Sequence, residues 1–556
     1  MKKIFITLLA AAALTACIED KTSFPTDSVD DITVTDIADG SVVRNGYLEP
    51  FDFAPTLMQG DRTLDDENYS YRWELNEYPQ SPDFEVIGTE RELHTVLNNP
   101  ISNRDYVLKL TVTDLANELE FLFSWQLYIQ PAFLDGLVVS DTKDGMTSDL
   151  TLIMNDRLTI NYAGKPEKIF RDILATATGS AYPGLLDRLF PTCQGYYDNC
   201  THYLWAIDEN DTPVRFECTD YSQSAEKDIL LYRYEGQRVS RIFSFSTSPA
   251  TSNSWFMMTT HGNYRLSPMN DITFGMPNPA VNSSMKNDIC AWTPYNGGDM
   301  YCAAAWVDDK TGRFVLMDDS YSSTQLTILE NPAEGTPAFD AEDPGDRTII
   351  GAGMTYDENI PALLFRENAT GEYAIYTITP YAEEKGHYED PDNWEGWVVD
   401  IPEQPYAPRA RIVLPAAVGA QLDRAVDTEF CTKQAILYVA TPEQLSAVLF
   451  ATGTAADGGV KFTPDAGERI TSVKLYRQGQ YLYGGACAVQ EDTGTSARPL
   501  LDLTNSAVIV TTQKSETEGF VYVVPMTQLG TGNLDRSKAM KFDGFGKILD
   551  VNTTGY

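Results

Sequence analysis

Residues 304–316 read AAWVDDKTGRFVL, which is an apolar run, a polar turn and a second apolar run. Asp, Asn and Gly suit tight turns because they tolerate positive φ angles, so this arrangement predicts a β-hairpin. The same unit recurs at Leu363–Tyr376, with its turn at Asn368–Gly371, and at Val448–Phe462, with its turn at Ala456–Gly459. Antiparallel hairpins are therefore expected throughout this part of the chain.

Fainter copies lie at Leu137–Ile153 and Leu204–Phe216, and helical periodicity is nearly absent outside Lys168–Leu189, a predicted partly helical insertion. The spacing fits four-stranded blades of about 40–50 residues. We therefore expect residues 132–556 to form a β-propeller of about seven blades. Two or three separate β-sandwich domains are the alternative.

Residues 31–131 show the short alternation of apolar and polar side chains that is typical of half-buried strands. The stretches Tyr71–Leu75 and Tyr106–Asp114 each place large apolar side chains on one face, with Trp73 central in the first. Thr111 belongs to the opposite, polar face of the second. This pattern predicts an all-β, immunoglobulin-like sandwich of about 100 residues.

The first residues have the pattern of an export signal. Lys2 and Lys3 precede the apolar run Ile4–Leu14, which is too short to span a bilayer and ends in Leu-Thr-Ala-Cys. This ending resembles a bacterial lipobox, which implies removal of residues 1–16 and acylation of Cys17. An ordinary secretory peptide with an incidental cysteine is the alternative.

Residues 17–30 form an acidic, polar tether. Its acidic residues resemble the surface-export signal of Bacteroidetes lipoproteins, so we expect an outer-membrane lipoprotein exposed at the cell surface. Outer-membrane lipid is then a partner through acylated Cys17. The formal net charge of −39 argues against nucleic acid as a partner.

The strands around Trp73 and at Tyr106–Asp114 together resemble the PKD domain. Residues 467–474 and 544–551 resemble motifs of the PKD-like family lipoproteins of Bacteroidetes, so with the lipobox the resemblance extends over essentially the whole mature chain. It implies association with an uptake system that pairs a TonB-dependent transporter with a substrate-binding lipoprotein.

Catalytic and cofactor signatures do not appear in the sequence. There is no C-x-x-C, H-E-x-x-H, G-x-S-x-G or phosphate-loop motif, so we expect no catalytic residue, no cofactor and no zinc site. Because disulfides are permitted in an exported protein, Cys193 with Cys200 and Cys290 with Cys302 are candidate pairs.

Aromatic side chains in polar surroundings are the candidate ligand-binding residues. Trp394 and Trp397 follow a loop-like acidic run at 387–392, so their rings are candidates for stacking on a sugar beside carboxylates that accept hydroxyl hydrogen bonds. Burial of both rings in a blade core is the alternative. Further candidates of the same kind are Trp255, Tyr196 and Tyr197.

Asp340, Asp343 and Asp346 recur at every third position and are a candidate calcium site, with a solvated acidic turn as the alternative. Taken together, the sequence predicts a non-catalytic, lipid-anchored surface protein that binds a glycan or peptide as an accessory to nutrient uptake. An adhesin or structural scaffold and a glycan-active propeller enzyme with paired carboxylates are the alternatives.

Overall fold

A computed structural model gives the architecture of the chain. It describes residues 31–64, 66–77, 83–99, 106–133, 135–159, 162–196, 199–224, 238–245, 254–259, 262–266, 277–278, 289–290, 304–308, 311–320, 323–343, 345–355, 360–382, 384–390, 394–431, 434–477 and 501–554. The chain divides into two compact units, the first ending at Ile129 and the second beginning at Gln130. The second unit also takes in Gly46–Leu48 and residues 98–99. The signal, Cys17 and the tether lie outside the described residues.

The first unit is a sandwich of short antiparallel strands. They are β1 (Ile32–Val34), β2 (Val42–Gly46), β3 (Pro50–Phe53), β4 (Leu57–Gln59), β5 (Arg62–Thr63), β6 (Tyr69–Glu77), β7 (Glu85–Gly88), β8 (Leu93–Val96), β9 (Tyr106–Asp114) and β10 (Leu119–Gln130). The main sheet has the order β2-β10-β9-β6-β7, and smaller sheets pair β1-β4-β5 and β3-β8.

Aromatic rings fill the core of this unit. Trp73 on β6 and Trp125 on β10 lie 5.9 Å apart between ring centroids, and Phe53 on β3 contacts both at 5.8 and 5.1 Å. Trp73 is fully buried and its indole N–H donates to the carbonyl of Glu90 at 2.9 Å. The predicted burial of Trp73 is confirmed.

Strand β9 differs from the expected alternation at one position. Tyr106 and its alternate neighbours through Val112 are buried as predicted, but Thr111 is also only 1% exposed. Arg72 on β6 and Leu122 on β10 lie beside Thr111 in register on either side. The neighbouring strands therefore cover a position that the strand pattern alone assigns to solvent.

The second unit contains seven successive antiparallel sheets in its described residues. The first three contain β11 (Gly136–Thr142), β12 (Asp149–Met154) and β13 (Lys168–Phe170); β14 (Leu186–Tyr196), β15 (Asn199–Asp208) and β16 (Pro213–Glu217); and β17 (Val239–Phe245), β18 (Ser254–Thr259), β19 (Gly262–Leu266) and β20 (Pro277–Asn278). The fourth contains β21 (Ile289–Cys290), β22 (Ala304–Val307), β23 (Phe314–Ser320) and β24 (Ser323–Ile328).

The last three sheets complete the series. The fifth contains β25 (Arg347–Thr355), β26 (Ile360–Glu367), β27 (Tyr373–Thr379) and β30 (Ala407–Val413), with a separate hairpin of β28 (Lys385–Asp390) and β29 (Glu395–Ile401) between the last two. The sixth contains β31 (Asp427–Phe430), β32 (Ile436–Thr441), β33 (Gln444–Leu449) and β34 (Ala456–Phe462). The seventh contains β35 (Arg469–Leu475), β36 (Ala507–Ser515), β37 (Glu518–Gln528), β38 (Asn533–Leu534) and β39 (Met540–Phe545).

The final strand, β40 (Lys547–Thr554), returns to the first sheet, whose order is β13-β12-β11-β40. Its register pairs Gly136 with Thr554 and Val139 with Val551. One strand of each sheet contacts a strand of the next sheet: β40 contacts β14, β14 contacts β17, β17 contacts β21, β21 contacts β25, β25 contacts β31, and β31 contacts β35. Strand β40 also contacts β36 of the seventh sheet. Seven sheets joined into a ring by the last strand are a seven-bladed propeller, as predicted.

Turn chemistry explains the predicted hairpins. Gly312 and Gly371 have φ of 67° and 73°, and each amide donates to the carbonyl four residues earlier at 2.7 Å. A glycine is favoured at this point because the left-handed region costs it nothing. The third predicted turn is wrong: residues 456–459 belong to β34, and the connection from β33 is the 3₁₀ turn at Ala451–Gly453.

Two short helices occur in the described chain, α1 (Ile173–Thr178) and α2 (Ala416–Leu422). Helix α1 confirms the partly helical insertion, and the Asp149 carboxylate accepts from the amides of Leu174 and Ala175 at its start. Helix α2 was not predicted and packs through buried Val418 and Leu422. No helix in the described part of the chain is long and apolar enough to cross a membrane.

Apolar clusters lie between neighbouring blades. One joins Leu363 of the fifth blade with Leu316 of the fourth, and another joins Val510 of the seventh with Tyr438 of the sixth. Leu137, Ile509 and Val551 form a cluster where the seventh blade meets the first. Blade-to-blade packing is therefore the source of the core, as expected for sheets that bury both faces.

Trp73 and Trp394 provide a matched pair for a stability test. Trp73→Ala should lower the free energy of unfolding of the first unit by about 3–5 kcal/mol, because it leaves a large cavity in an aromatic core. Trp394 is 73% exposed, so Trp394→Ala should change stability by about 0.5 kcal/mol or less. Urea denaturation of both variants checks this, and equal losses would contradict the assigned burial.

Candidate ligand-binding site

The hairpin β28–β29 extends from the fifth blade and is not part of its four-stranded sheet. At its base, the amides of Ala382 and Gln404 each donate to the other residue's carbonyl at 2.9 Å. The Gln404 side chain also donates to the carbonyl of Pro380 at 3.3 Å. The acidic run at 387–392, predicted to be a loop, is therefore largely strand β28.

Three aromatic rings cover one face of this hairpin. Tyr388 lies opposite Trp397 in register, and its ring centroid is 4.8 Å from Trp397 and 5.3 Å from Trp394. Trp394 is 73% exposed and Trp397 is 45% exposed. The two tryptophans are thus not in a blade core, and Tyr388 joins them into one surface, which we call the aromatic platform.

Gly386 and Glu384 fix the orientation of Trp397. A methyl group placed on Gly386 would lie 2.7 Å from Cζ2 of Trp397, so the indole lies directly against the glycine backbone. The indole N–H donates to Oε1 of Glu384 at 2.8 Å. The ring is therefore held against the hairpin at a fixed orientation while Trp397 stays 45% exposed.

Charged side chains lie on both faces of the hairpin. On the face opposite Tyr388 and Trp397, Glu389 lies beside Gly396, where a methyl group would be 3.1 Å from the Glu389 Oε2, and His387 Nδ1 and Asp400 Oδ2 are 2.9 Å apart. At the edge of the aromatic platform itself lies the Glu384 carboxylate. A polar group at the edge of an exposed aromatic surface is typical of sites that bind polar ligands.

Sequence reasoning identified Trp394 and Trp397 but missed Glu384, Gly386 and Tyr388. A signal for them was present. Gly386 and Tyr388 alternate before the turn-forming sequence Pro-Asp-Asn at 391–393, and Trp397 and Val399 alternate after it. This is the pattern of a two-stranded hairpin with one apolar face.

For two of the other aromatic candidates, Tyr196 and Trp255, the structure describes the position of the backbone but not of the side chain. Tyr196 ends β14 and Trp255 lies in β18 opposite Ser244, but their side chains are outside what the structure describes. Tyr197 lies outside the described residues altogether. None of the three is brought to the aromatic platform by the described geometry.

The candidate disulfides are placed only in part. On the β14–β15 hairpin, Cys193 lies opposite His202 and Cys200 opposite Gly195, so the two cysteines are offset by two positions. Cys290 lies in β21, and Cys302 is outside the described residues. Cys218 is a buried free thiol whose pKa is raised by that burial.

The three aspartates suggested for calcium act as separate turn acceptors. Asp340 Oδ1 accepts from the Asn331 side chain and from the amides of Glu342 and Asp343. Asp346 instead accepts from the Asn368 side chain at 2.7 Å. Among the described residues no group of three such ligands could hold a metal ion. These hydrogen bonds fit a solvated acidic turn better than a calcium site.

Carboxylates on the inner strands join neighbouring blades. Asp550 on β40 accepts from the amide of Leu189 on β14 at 2.7 Å and from Lys474 on β35 at 2.6 Å. Asp427 on β31 accepts from the amide of Val473 on β35 at 2.9 Å. These acids bind the backbone of the next strand, which is a structural role.

Asp427 is partly buried between β31 and β35, and desolvation by this burial raises its pKa to about 7 despite the amides that donate to it. Because the folded pKa lies above the ordinary value of 3.8, the folded state holds this proton more tightly than the unfolded chain. The stability that this proton contributes is present near pH 4 and is lost as the pH rises to about 7.

Asp427→Asn should remove the loss of stability that deprotonation of Asp427 causes between pH 4 and pH 7. The variant should be less stable overall, because an amide cannot accept both backbone hydrogen bonds, but its deficit relative to the wild type should shrink between pH 4 and pH 7. Denaturant unfolding across this range measures the difference. Asp502→Asn, at an exposed position, is the control. A constant deficit at every pH would contradict the raised pKa.

Comparison with known proteins identifies the N-terminal part of the chain. Residues 17–185 match the family model described as the PKD-like family. Over these residues the chain is similar to that family, and we call them the PKD-like segment. The resemblance inferred from the sequence is confirmed there, although the match is shorter than the whole mature chain. The PKD-like segment includes the first unit and continues through α1 of the first blade.

Solved structures of low identity accompany this match. A quinonprotein alcohol dehydrogenase-like protein from Bacteroides thetaiotaomicron is 12% identical, with 93% of this chain and 94% of that chain covered and a TM-score of 0.37. Apo AztD from Citrobacter koseri is 8% identical, with coverages of 87% and 98% and a TM-score of 0.30. The WD40 domain of SCAP from fission yeast is 8% identical, with coverages of 66% and 75% and a TM-score of 0.29. No curated protein matches the sequence.

Proposed function

We propose that this protein is a non-catalytic binding protein that holds a glycan on the aromatic platform of the β28–β29 hairpin. The observation that carries the proposal is the exposure of Trp394 and Trp397 on a hairpin outside the blade sheet. Large exposed aromatic surfaces are uncommon on soluble proteins and mark interaction sites.

The geometry of Trp397 supports a sugar ring as the bound group. A pyranose presents axial C–H groups on its flat faces and hydroxyl groups at its edge, so it can stack on an indole while its hydroxyls reach polar neighbours. Trp397 is 45% exposed, and the Glu384 carboxylate lies at the edge of its ring at 2.8 Å from its nitrogen. Because the indole is held by this hydrogen bond and by packing against Gly386, little ordering of the ring is required on binding.

The proposal places the protein at the bacterial surface. The acylated Cys17 would anchor the chain in outer-membrane lipid, and residues 17–30 would separate the PKD-like segment from that surface. Glycan captured on the hairpin would then be delivered to a TonB-dependent transporter and its binding lipoprotein. This accessory role rests on the sequence resemblance and on the aromatic platform together.

Replacing both tryptophans tests the binding role. Trp394→Ala with Trp397→Ala should weaken glycan binding at least about tenfold, as for buried aromatic contacts in other interfaces, and should leave the propeller folded. Isothermal titration and circular dichroism measure the two effects. Leu529→Ala, which removes a side chain that is 80% exposed and outside the hairpin, should bind like the wild type. Unchanged binding by the double variant would exclude the hairpin as the site.

Cys17→Ala tests the anchoring role. The variant should leave the membrane fraction and lose metabolic lipid label, and a labelled product from it would contradict acylation at this residue. In mild detergent, the wild type should co-purify with a TonB-dependent transporter, identified by mass spectrometry. Recovery of the lipidated protein alone would favour a free-standing binder or a scaffold over an uptake accessory.

A further inference from the structure

The charge around the aromatic platform restricts which glycans could bind there. Residues 383–403 contain a single basic residue, Lys385, apart from His387. The same stretch of sequence contains eight acidic residues, and the structure places the side chains of four of them, Glu384, Glu389, Asp400 and Glu403. We infer that the hairpin selects glycans that carry no carboxylate or sulfate groups. This inference rests on the proposed function and names the ligand class of the same site.

The nearest acid is fixed beside the stacking surface. Glu384 is exposed, and its Oε1 accepts from the Trp397 indole nitrogen, so the carboxylate cannot swing away without breaking that hydrogen bond. A sugar ring stacked on Trp397 would lie within about 6 Å of this carboxylate. The second oxygen, Oε2, takes no part in the bond to Trp397 and can accept from a sugar hydroxyl.

Two further acids act at longer range from the opposite face of the hairpin. Glu389 lies beside Gly396, and Asp400 lies beside His387. Two like charges about 6 Å apart, the separation for Glu384, repel enough to change affinity roughly threefold in bulk water and roughly a hundredfold at the lower dielectric near a protein surface, so a change of about tenfold lies between these limits. A uronate or sulfate on the stacked sugar would meet this repulsion, whereas a hydroxyl would meet an acceptor.

The net charge of the whole chain also disfavours binding of polyanions. Its formal net charge of −39 slows the approach of any polyanion, and this effect weakens as added salt screens it. Selection by charge therefore has a local part, due to Glu384 and Glu389, and a general part that salt removes. The two parts are separable because substitution changes only the first.

The experiment compares two sets of glycan probes on the full chain and includes an oligolysine peptide as a cationic probe. Galactomannan, xyloglucan and mixed-linkage β-glucan carry no charge, while polygalacturonate and chondroitin sulfate are polyanions. Affinity electrophoresis and titration calorimetry at low and at high salt give the binding constants. The variant is Glu384→Gln with Glu389→Gln, because the side-chain carbonyl of a glutamine at the first position still accepts from the indole N–H of Trp397. Asp457→Asn, on the surface of the sixth blade, is the matched control for loss of charge.

The wild type should bind at least one uncharged glycan and should bind both polyanions at least about tenfold more weakly. The double glutamine variant should bind a polyanion about tenfold more tightly relative to its own affinity for the uncharged glycan, so the ratio of the two binding constants is the measured quantity. The Asp457→Asn control should change neither.

Three binding results would contradict the proposals, and they are distinguishable from one another. Equal or tighter binding of a polyanion by the wild type would overturn the charge selection while leaving the glycan site intact. Binding of no glycan from either set would overturn the proposed function and this inference with it. Preferential binding of an oligolysine peptide over every glycan would show that the acids recruit a cationic partner and would also overturn the inference.

Discussion

The propeller depends on the pairing of its last strand with its first. Gly136 and Thr554 are 418 positions apart, and they are joined through the Gly136 amide and the Thr554 hydroxyl at 3.0 Å. Bringing such distant residues together carries a loop-closure cost that only the completed ring repays. Buried Leu137 and Val551 pack against the seventh blade, and this apolar cluster helps to offset the loop-closure cost.

Hydrogen bonds between inner strands supplement this packing. Asp427 and Asp550 each accept from the main chain of the next blade, so a carboxylate reaches from one sheet to the edge of its neighbour. Such buried acids are costly unless paired, and the amides and Lys474 supply the pairing. Asp550 is thus buried and Asp427 partly buried, and both are hydrogen-bonded, while Glu389 and Asp400 of the β28–β29 hairpin are exposed.

Local sequence signals predicted local structure. The turns at Gly312 and Gly371 and the apolar face of β9 follow from the preferences of a few neighbouring residues. Features set by distant partners were not predictable in this way: the burial of Thr111, the pairing of β40 and the acceptors of Asp427 depend on which strand lies alongside. The aromatic platform was predictable only in part. Its two tryptophans were identified from the sequence, but their exposure depends on β28 and β29 lying outside the blade sheet.

The position of the hairpin between β27 and β30 has a consequence for how this protein can change over evolution. Its two ends meet at the paired amides of Ala382 and Gln404, so a stretch of any length can be inserted between them without altering the distance that the fifth blade must span. Relatives with the same ring could therefore exchange this stretch as a cassette and acquire a new ligand while inheriting an unchanged scaffold.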